Sequence, residues 1–320
     1  MYSKELIIGD NKINVEIHMN NKKNEYVSEF ILKSLEYLSK SEEKFVFPNH
    51  DTNIIFEFGT DEKIYDCIMC VNLDRSKDNT FIIESNINRV IKELTKNKYK
   101  KYKFNKTDLF NIIKHEIQHI KNGDEMKDFF NKIDIAQEYK KITKNEFWQA
   151  LTFSDLKYEG IAETIENGCK ILEIKNKNII WFRKKFDMLS KTKEEKLEDF
   201  YENFVRMEHS KGNIHDNYTN GRYVFYFLTA AMDDDTEIFD IYKLSINKKF
   251  ISSELEDNGI IYIHPKENTF IEAYELIDSI DIKDFIKIYE NMNNILGIPI
   301  SLQAVDIQKV KEIFSKIYDK

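Results

Sequence analysis

Glycine and proline, the residues that most readily interrupt regular structure, number only 9 and 3 among 320. A sandwich or barrel of short strands needs a turn about every 8–12 residues, and turns draw heavily on those two residue types. Their scarcity points to long elements joined by few tight turns, and it argues equally against a disordered chain. Long stretches of Lys, Glu, Ile and Leu make most of those elements helical, so the expected class is a helix-rich α+β protein. With 42% hydrophobic and 13% aromatic residues, the chain can bury one large core or two smaller ones.

Hydrophobic periodicity orders the elements. Alternation from Glu5 to Met19 predicts a strand, and apolar residues at Val27, Ile31, Leu35 and Leu38 predict a helix over Tyr26–Leu38. Strands are expected at Asn53–Phe58, Tyr65–Leu73 and Thr80–Glu84, then a helix at Ile87–Lys96. A helix opening at Asp108, capped by Asn105 or Thr107, carries Leu109, Ile112, Ile113, Ile117 and Ile120 and should stop at Asn122-Gly123. Two more follow, one from about Glu146 and one over Lys157–Leu172 with Gly168 as a kink. Arg183–Glu208 and Tyr218–Met232 read as helices, the second apolar enough to be buried, and Asp233-Asp234-Asp235 marks a boundary. The remainder mixes a strand pair around Ile260–His264 with helices near Phe270–Ile277, Ile282–Asn294 and Asp306–Tyr318. The organisation expected is an N-terminal α/β lobe (1–106), a helical core (107–235) and a C-terminal accessory α/β region (236–320).

A net charge of -8, from 48 basic and 56 acidic residues, gives no general attraction to nucleic acid or anionic membrane. Lys92–Lys106 interleaves seven lysines with Tyr99, Tyr102 and Phe104, a pattern that can bind single strands. A solvated helix end and loop is the plainer reading in an acidic chain. No apolar run approaches the roughly 20 residues of a membrane span. No basic segment followed by an apolar one marks a signal peptide, so a cytoplasmic protein is expected, although a chain trimmed of a leader would read the same. The three cysteines cannot form a disulfide framework. Cys67 and Cys70 make a C-x-x-C inside the strand-like Tyr65–Leu73, with no second pair to complete a zinc site, and buried thiols are expected there.

The chemistry concentrates in His115-Glu116-Ile117-Gln118-His119. Residues four apart on a helix stand one turn above each other on one face, so both histidines can aim a ring nitrogen at a single ion. Zinc lowers the pKa of a bound water to about 7, and a carboxylate beside the first ligand can take its proton as it attacks a carbonyl. Glu116 has that position. The bland alternative is two histidines and a glutamate on a solvated helix face. Catalytic zinc needs a third ligand. No histidine follows until His209, so a carboxylate on another helix is the better candidate. Tyr158-Glu-Gly-Ile-Ala-Glu-Thr-Ile-Glu166 places Glu159 and Glu163 on one helical face. One can bind the ion while the other accepts the outer N–H of a ligand histidine, fixing its tautomer. Glu166 is close in sequence, and an ordinary acidic face is the alternative. Gly160 would let two helices approach closely.

These motifs resemble those of the gluzincin metallopeptidases, which include thermolysin-like and aminopeptidase N-like enzymes and join H-E-x-x-H on one helix to a glutamate on a second. His115, Glu116 and His119 match the first motif, and Glu159, Gly160, Ala162 and Glu163 match the E-G-x-A setting of the second. The resemblance implies a zincin-like catalytic domain with a small mixed sheet, an active-site helix and a C-terminal helical lobe. It implies one catalytic zinc held by His115, His119 and Glu159, with Glu163 behind a ligand histidine. Aminopeptidase N-like enzymes also open a long apolar helix with Tyr-x-x-Gly, whose hydroxyl stabilises the oxyanion. Tyr218-Thr-Asn-Gly221 has that form, against the plain reading of a buried tyrosine heading a core helix. His215, Tyr223 and His209 are its substitutes. The resemblance covers about residues 107–230, at motif level.

Two departures bear on specificity. Residues 120–158, 39 in all, separate His119 from Glu159, and an extra helix near Asn145–Thr152 is expected to fill the gap. The Gly-x-Met-Glu-Asn segment that holds a substrate amino terminus is missing, which turns the expectation toward an endopeptidase. A peptide or protein is then the expected partner, and neither nucleic acid nor membrane. An extended substrate could pair with Tyr65–Leu73 or Thr80–Glu84 as an added strand. The competing class is a catalytically silent interaction protein on a peptidase-like scaffold, which would have no need of Glu116.

Overall fold

The computed structural model describes residues 2–19, 24–60, 67–96, 108–167, 172–174, 255–256, 260–263, 274–296 and 306–318. The protein is helix-rich α+β and falls into two compact units, Met1–Lys127 and Asp128–Lys320. Tyr218, His209, His215, Tyr223, Gly168, the lysines of 97–106 and the helices expected at Arg183–Glu208 and Tyr218–Met232 lie outside the described residues.

The first unit is built on a five-stranded mixed sheet. Its strands are β1 (Tyr2–Ile8), β2 (Asn11–His18), β3 (Thr52–Gly59), β4 (Met69–Lys77) and β5 (Thr80–Asn86), in the order β1-β2-β3-β5-β4. The inner pairs β2–β3 and β3–β5 are parallel, and the outer pairs β1–β2 and β5–β4 are antiparallel. The alternation expected to form one strand over Glu5–Met19 is instead a hairpin. Gly9, at φ 61, leads the two-residue turn Gly9-Asp10, a backbone that glycine adopts without a Cβ penalty.

One face of the sheet is covered. Val15, Ile17, Ile54, Phe56, Phe81 and Ile83 are at most 1% exposed, while alternate residues of β2 and β3 remain exposed or half-buried. Over the covered face lie α1 (Glu25–Lys40), burying Val27, Ile31, Leu35 and Leu38, and α3 (Asp108–Lys121), burying Leu109, Ile113, Ile117 and Ile120. Each such side chain contributes about 1.5–3 kcal/mol by leaving water. Between them in sequence, α2 (Ile87–Lys96) follows β5 directly and packs on α3.

Register decides which strand is open. Ile17, Phe56, Ile83 and Val71 stand opposite one another across β2, β3, β5 and β4. Thr80–Glu84 therefore lies inside the sheet, hydrogen-bonded on both sides, and cannot accept an added strand. β4 is an edge. It also begins later than the apolar run Tyr65–Leu73 suggested. The chain bends at Cys67-Ile68, where the Ile68 carbonyl accepts the Asn86 N–H (3.2 Å), and extends only from Met69. Because of that bend Cys67 and Cys70 are half-buried, not buried as expected.

Gly123 does not end helical structure. A single turn residue, Asn122, separates α3 from α4 (Gly123–Glu138), a helix that the sequence reading passed over. The reason is a close contact: a Cβ at position 123 would lie 2.3 Å from the Phe81 ring, so glycine is there to let the helix start against the sheet. Lys127, one turn on, sits 4.2 Å over the same ring.

In the second unit, the two helices expected from Glu146 and from Lys157 are one, α5 (Lys144–Asn167). A short three-stranded sheet, with β6 (Leu172–Ile174) and β7 (Leu255–Glu256) flanking β8 (Ile260–Ile263), precedes α6 (residues 274–279), α7 (Ile282–Leu296) and α8 (Ile307–Tyr318). Phe153 on α5 joins the last two helices, with Phe285, Tyr289 and Phe314 rings 5.7–5.9 Å from its own. The buried Lys157 donates to the Ile280 carbonyl (2.6 Å), satisfying the end of α6. Among the described residues, no helix is long and apolar enough to cross a membrane.

Candidate metal centre

Helix α3 needs only its Leu109–Ile120 stripe to bind the sheet, yet it is buried around its whole circumference from Ile113 to Ile120. His115, Glu116 and His119 are 8%, 5% and 7% exposed. A solvated face is thereby excluded for them. Three polar side chains so enclosed are costly unless each has a partner.

The two imidazoles partner each other. Their Nε2 atoms lie 3.0 Å apart, with ring centroids 4.7 Å apart and planes inclined at 75°. Two nitrogens bound to a tetrahedral zinc at about 2.0–2.1 Å would be separated by about 3.3 Å. The pair is thus within a few tenths of an ångström of the spacing an ion requires, and both rings present the same nitrogen. Binding asks that both protons sit on Nδ1, leaving both Nε2 lone pairs for the metal. The donor chemistry and spacing fit zinc.

Glu116 is held by the edge strand. Its Oε2 accepts the Val71 N–H at 2.9 Å. Val71 ends the Ile17–Phe56–Ile83 row, so the packing of the sheet core sets where that N–H points. The end of α3 is fixed as well: Gln118 Nε2 donates to Asn122 Oδ1 (2.7 Å) and Lys121 Nζ to the Phe45 carbonyl (2.8 Å). Sequence reasoning missed Val71 and Asn122. A main-chain donor leaves no side-chain signature, and Asn122 resembled a helix stop.

Helix α5 carries the acidic candidates. Tyr158, Ile161, Ala162 and Ile165 are at most 2% exposed, and Glu159, Glu163 and Glu166, at i, i+4 and i+7, form a half-buried stripe. Gly160 is buried, and its carbonyl accepts the Thr164 hydroxyl (2.6 Å). The start of α5 is a capping box: Thr143 Oγ1 accepts the Glu146 N–H (3.2 Å) and Glu146 Oε2 accepts the Thr143 N–H (2.7 Å). Tyr218, the expected oxyanion donor, is outside the described residues.

The Cys70 thiol neighbours this chemistry. It hydrogen-bonds with Cys67, and that bond, burial and the nearby Glu116 carboxylate push its pKa well above the usual thiol range. No family model, curated protein or solved structure matches this chain, so the assignment of the centre stands on its residues alone.

Proposed function

We propose that this chain is a zinc-dependent peptidase of the gluzincin type, with a zincin-like fold, that cuts peptide bonds within chains. The observation that carries the reading is the buried His115–His119 pair, Nε2 to Nε2 at 3.0 Å, with Glu116 in the next position and oriented by a backbone N–H. Two imidazoles and a carboxylate are a donor set able to hold one zinc ion, and by the E-G-x-A resemblance Glu159 is the carboxylate that would join His115 and His119. Glu163 then accepts the outer N–H of a ligand histidine. Glu163 as the third ligand is the competing assignment, with Glu166 close to it in sequence.

Zinc bound there supplies a Lewis acid and a water acidic enough to ionise near neutral pH. The chain's own residues do the rest. Glu116 takes a proton from the attacking water and delivers it to the leaving amine. The Val71 N–H keeps the carboxylate aimed while it does so. Tyr218 donates to the developing oxyanion. The outer edge of β4 pairs with an extended substrate backbone, since β5 is closed on both sides.

The test is metal content with turnover. The purified full chain should hold one equivalent of zinc by plasma mass spectrometry and cleave members of a peptide library. Glu116→Gln should keep the zinc and lose about 10²–10⁴ in kcat. A chain without stoichiometric zinc sinks the proposal. Zinc without cleavage by the unaltered chain would mark a silent scaffold, and undiminished cleavage by Glu116→Gln would remove the role given to that residue.

A further inference from the structure

Cys67 and Cys70 are used by nothing in the reading above, yet they lie at the mouth of the strand that holds Glu116. Cys67 sits in the bend, Cys70 is the second residue of β4, and Val71, the next, donates to Glu116. Both thiols are half-buried, hence reachable by a small reagent, and they hydrogen-bond to each other. The bend matters. In a continuous strand, residues three apart would stand about 10 Å from Cα to Cα. A disulfide tolerates at most about 6.8 Å. The bend at Cys67-Ile68 interrupts that extended span, and the two thiols are hydrogen-bonding partners across it.

We propose that Cys67 and Cys70 form a reversible disulfide, and that closing it disturbs the β4 backbone enough to release Glu116 from Val71. The oxidant is a low-molecular-weight disulfide, R–S–S–R. The Cys67 thiolate attacks one of its sulfurs, the S–S bond of the oxidant breaks, one R–S⁻ leaves, and Cys67 becomes a mixed disulfide with the other R–S group. Cys70 then attacks Cys67 Sγ and expels the second R–S⁻. Two protons pass from the cysteines to the two leaving thiolates, so two protein thiols are oxidised and one external disulfide is reduced. Cys67, in the bend outside the ladder, acts first, and Cys70, inside β4, resolves the mixed disulfide. An S–S bond is about 2.05 Å long, shorter than any thiol–thiol hydrogen bond, so the residues flanking it must shift on the order of 1–2 Å. Glu116, bound to the very next residue, feels that shift.

The experiment uses the full chain with Cys169→Ser, oxidised glutathione as the probe, and two readouts that need neither zinc nor peptidase activity. After alkylation and non-reducing digestion, the peptide bearing Cys67 and Cys70 should have lost two hydrogens and carry no glutathione, and dithiothreitol should reverse this. With Cys70→Ser the glutathione should stay trapped on Cys67. Persistent glutathione on the dithiol protein, or alkylation of both thiols, overturns the disulfide. Amide exchange at Val71 should rise about tenfold on oxidation, the weight of one charge-assisted hydrogen bond, and should not respond in the Cys67→Ser/Cys70→Ser protein. Unchanged exchange at Val71 in a fully oxidised sample overturns the coupling to Glu116. Failure of the peptidase reading would leave both readouts unaffected.

Discussion

Helix α3 is buried on every side from Ile113 to Ile120, whereas α5 keeps a half-exposed acidic stripe beside its buried face. The difference shows how much each candidate ligand is determined by its surroundings. On α3, the isoleucines fix the helix on the sheet, Val71 fixes Glu116, and Asn122 and Phe45 fix the last turn. The two imidazoles have no rivals there. On α5, three carboxylates share one stripe, and each is the same kind of ligand. Position is specified on the histidine side and redundant on the glutamate side.

That contrast can be broken by chelator competition for zinc. His119→Ala should weaken zinc binding by roughly 10²–10⁴-fold, since a structural zinc site is worth about 10–16 kcal/mol spread over three or four ligands. Glu159→Ala should cost less, because Glu163 or Glu166 can move in, and Glu163→Ala less again, within the roughly 10–100-fold expected of a group that orients a ligand. Equal losses for His119→Ala and Glu159→Ala would end the claim of redundancy. A larger loss for Glu163→Ala than for Glu159→Ala would exchange their roles.

The sequence made the α3 half of the site legible because its signal is local. Five residues state two ligands and a base, and helical spacing alone brings the histidines together. The rest depended on distant pairings. Which of Tyr65–Leu73 and Thr80–Glu84 is the open strand follows from a strand order with crossovers, and no short-range pattern records it. The Gly9-Asp10 turn was written in the sequence but hidden by alternation that continues across it. Gly123 was read as a stop because glycine commonly ends helices, whereas here it answers a contact with Phe81 on a strand about 40 residues earlier. The division of labour between Glu159 and Glu163 came from a resemblance and not from spacing, which treats them alike.

The same contrast extends to how the two helices are anchored at one end. The close of α3 is fixed by a tertiary contact at the start of α4, so Gly123→Ala must push either the Phe81 ring or the helix. Overpacking of this kind typically costs about 1–3 kcal/mol. Thermal unfolding of the variant should show a lowered Tm, and a further Phe81→Leu should recover part of it. A Gly123→Ala protein as stable as the parent would mean that the joint between α3 and α4 yields easily, and that α3 is less rigidly placed than its burial suggests.

The start of α5, by contrast, is fixed by its own polar groups, and its effect should be smaller and dependent on pH. Losing the Thr143 hydroxyl in Thr143→Ala removes the acceptor for the Glu146 N–H and should cost about 0.5–2 kcal/mol at neutral pH. Glu146 is the titrating partner. Lys316, first, and the Thr143 N–H, second, lower its pKa from 4.5 to about 2. A carboxylate depressed by folding stabilises the protein above its unfolded pKa, and that contribution fades as pH falls from about 4.5 toward 2. Glu146→Gln, which cannot ionise, should therefore be less stable than the parent at pH 7, and the gap should close across that acid window. A gap that stays constant from neutral to acid pH would mean that neither the ion pair with Lys316 nor the charge on the acceptor of the Thr143 N–H adds stability, leaving the Thr143 hydroxyl to anchor the helix that carries the carboxylates.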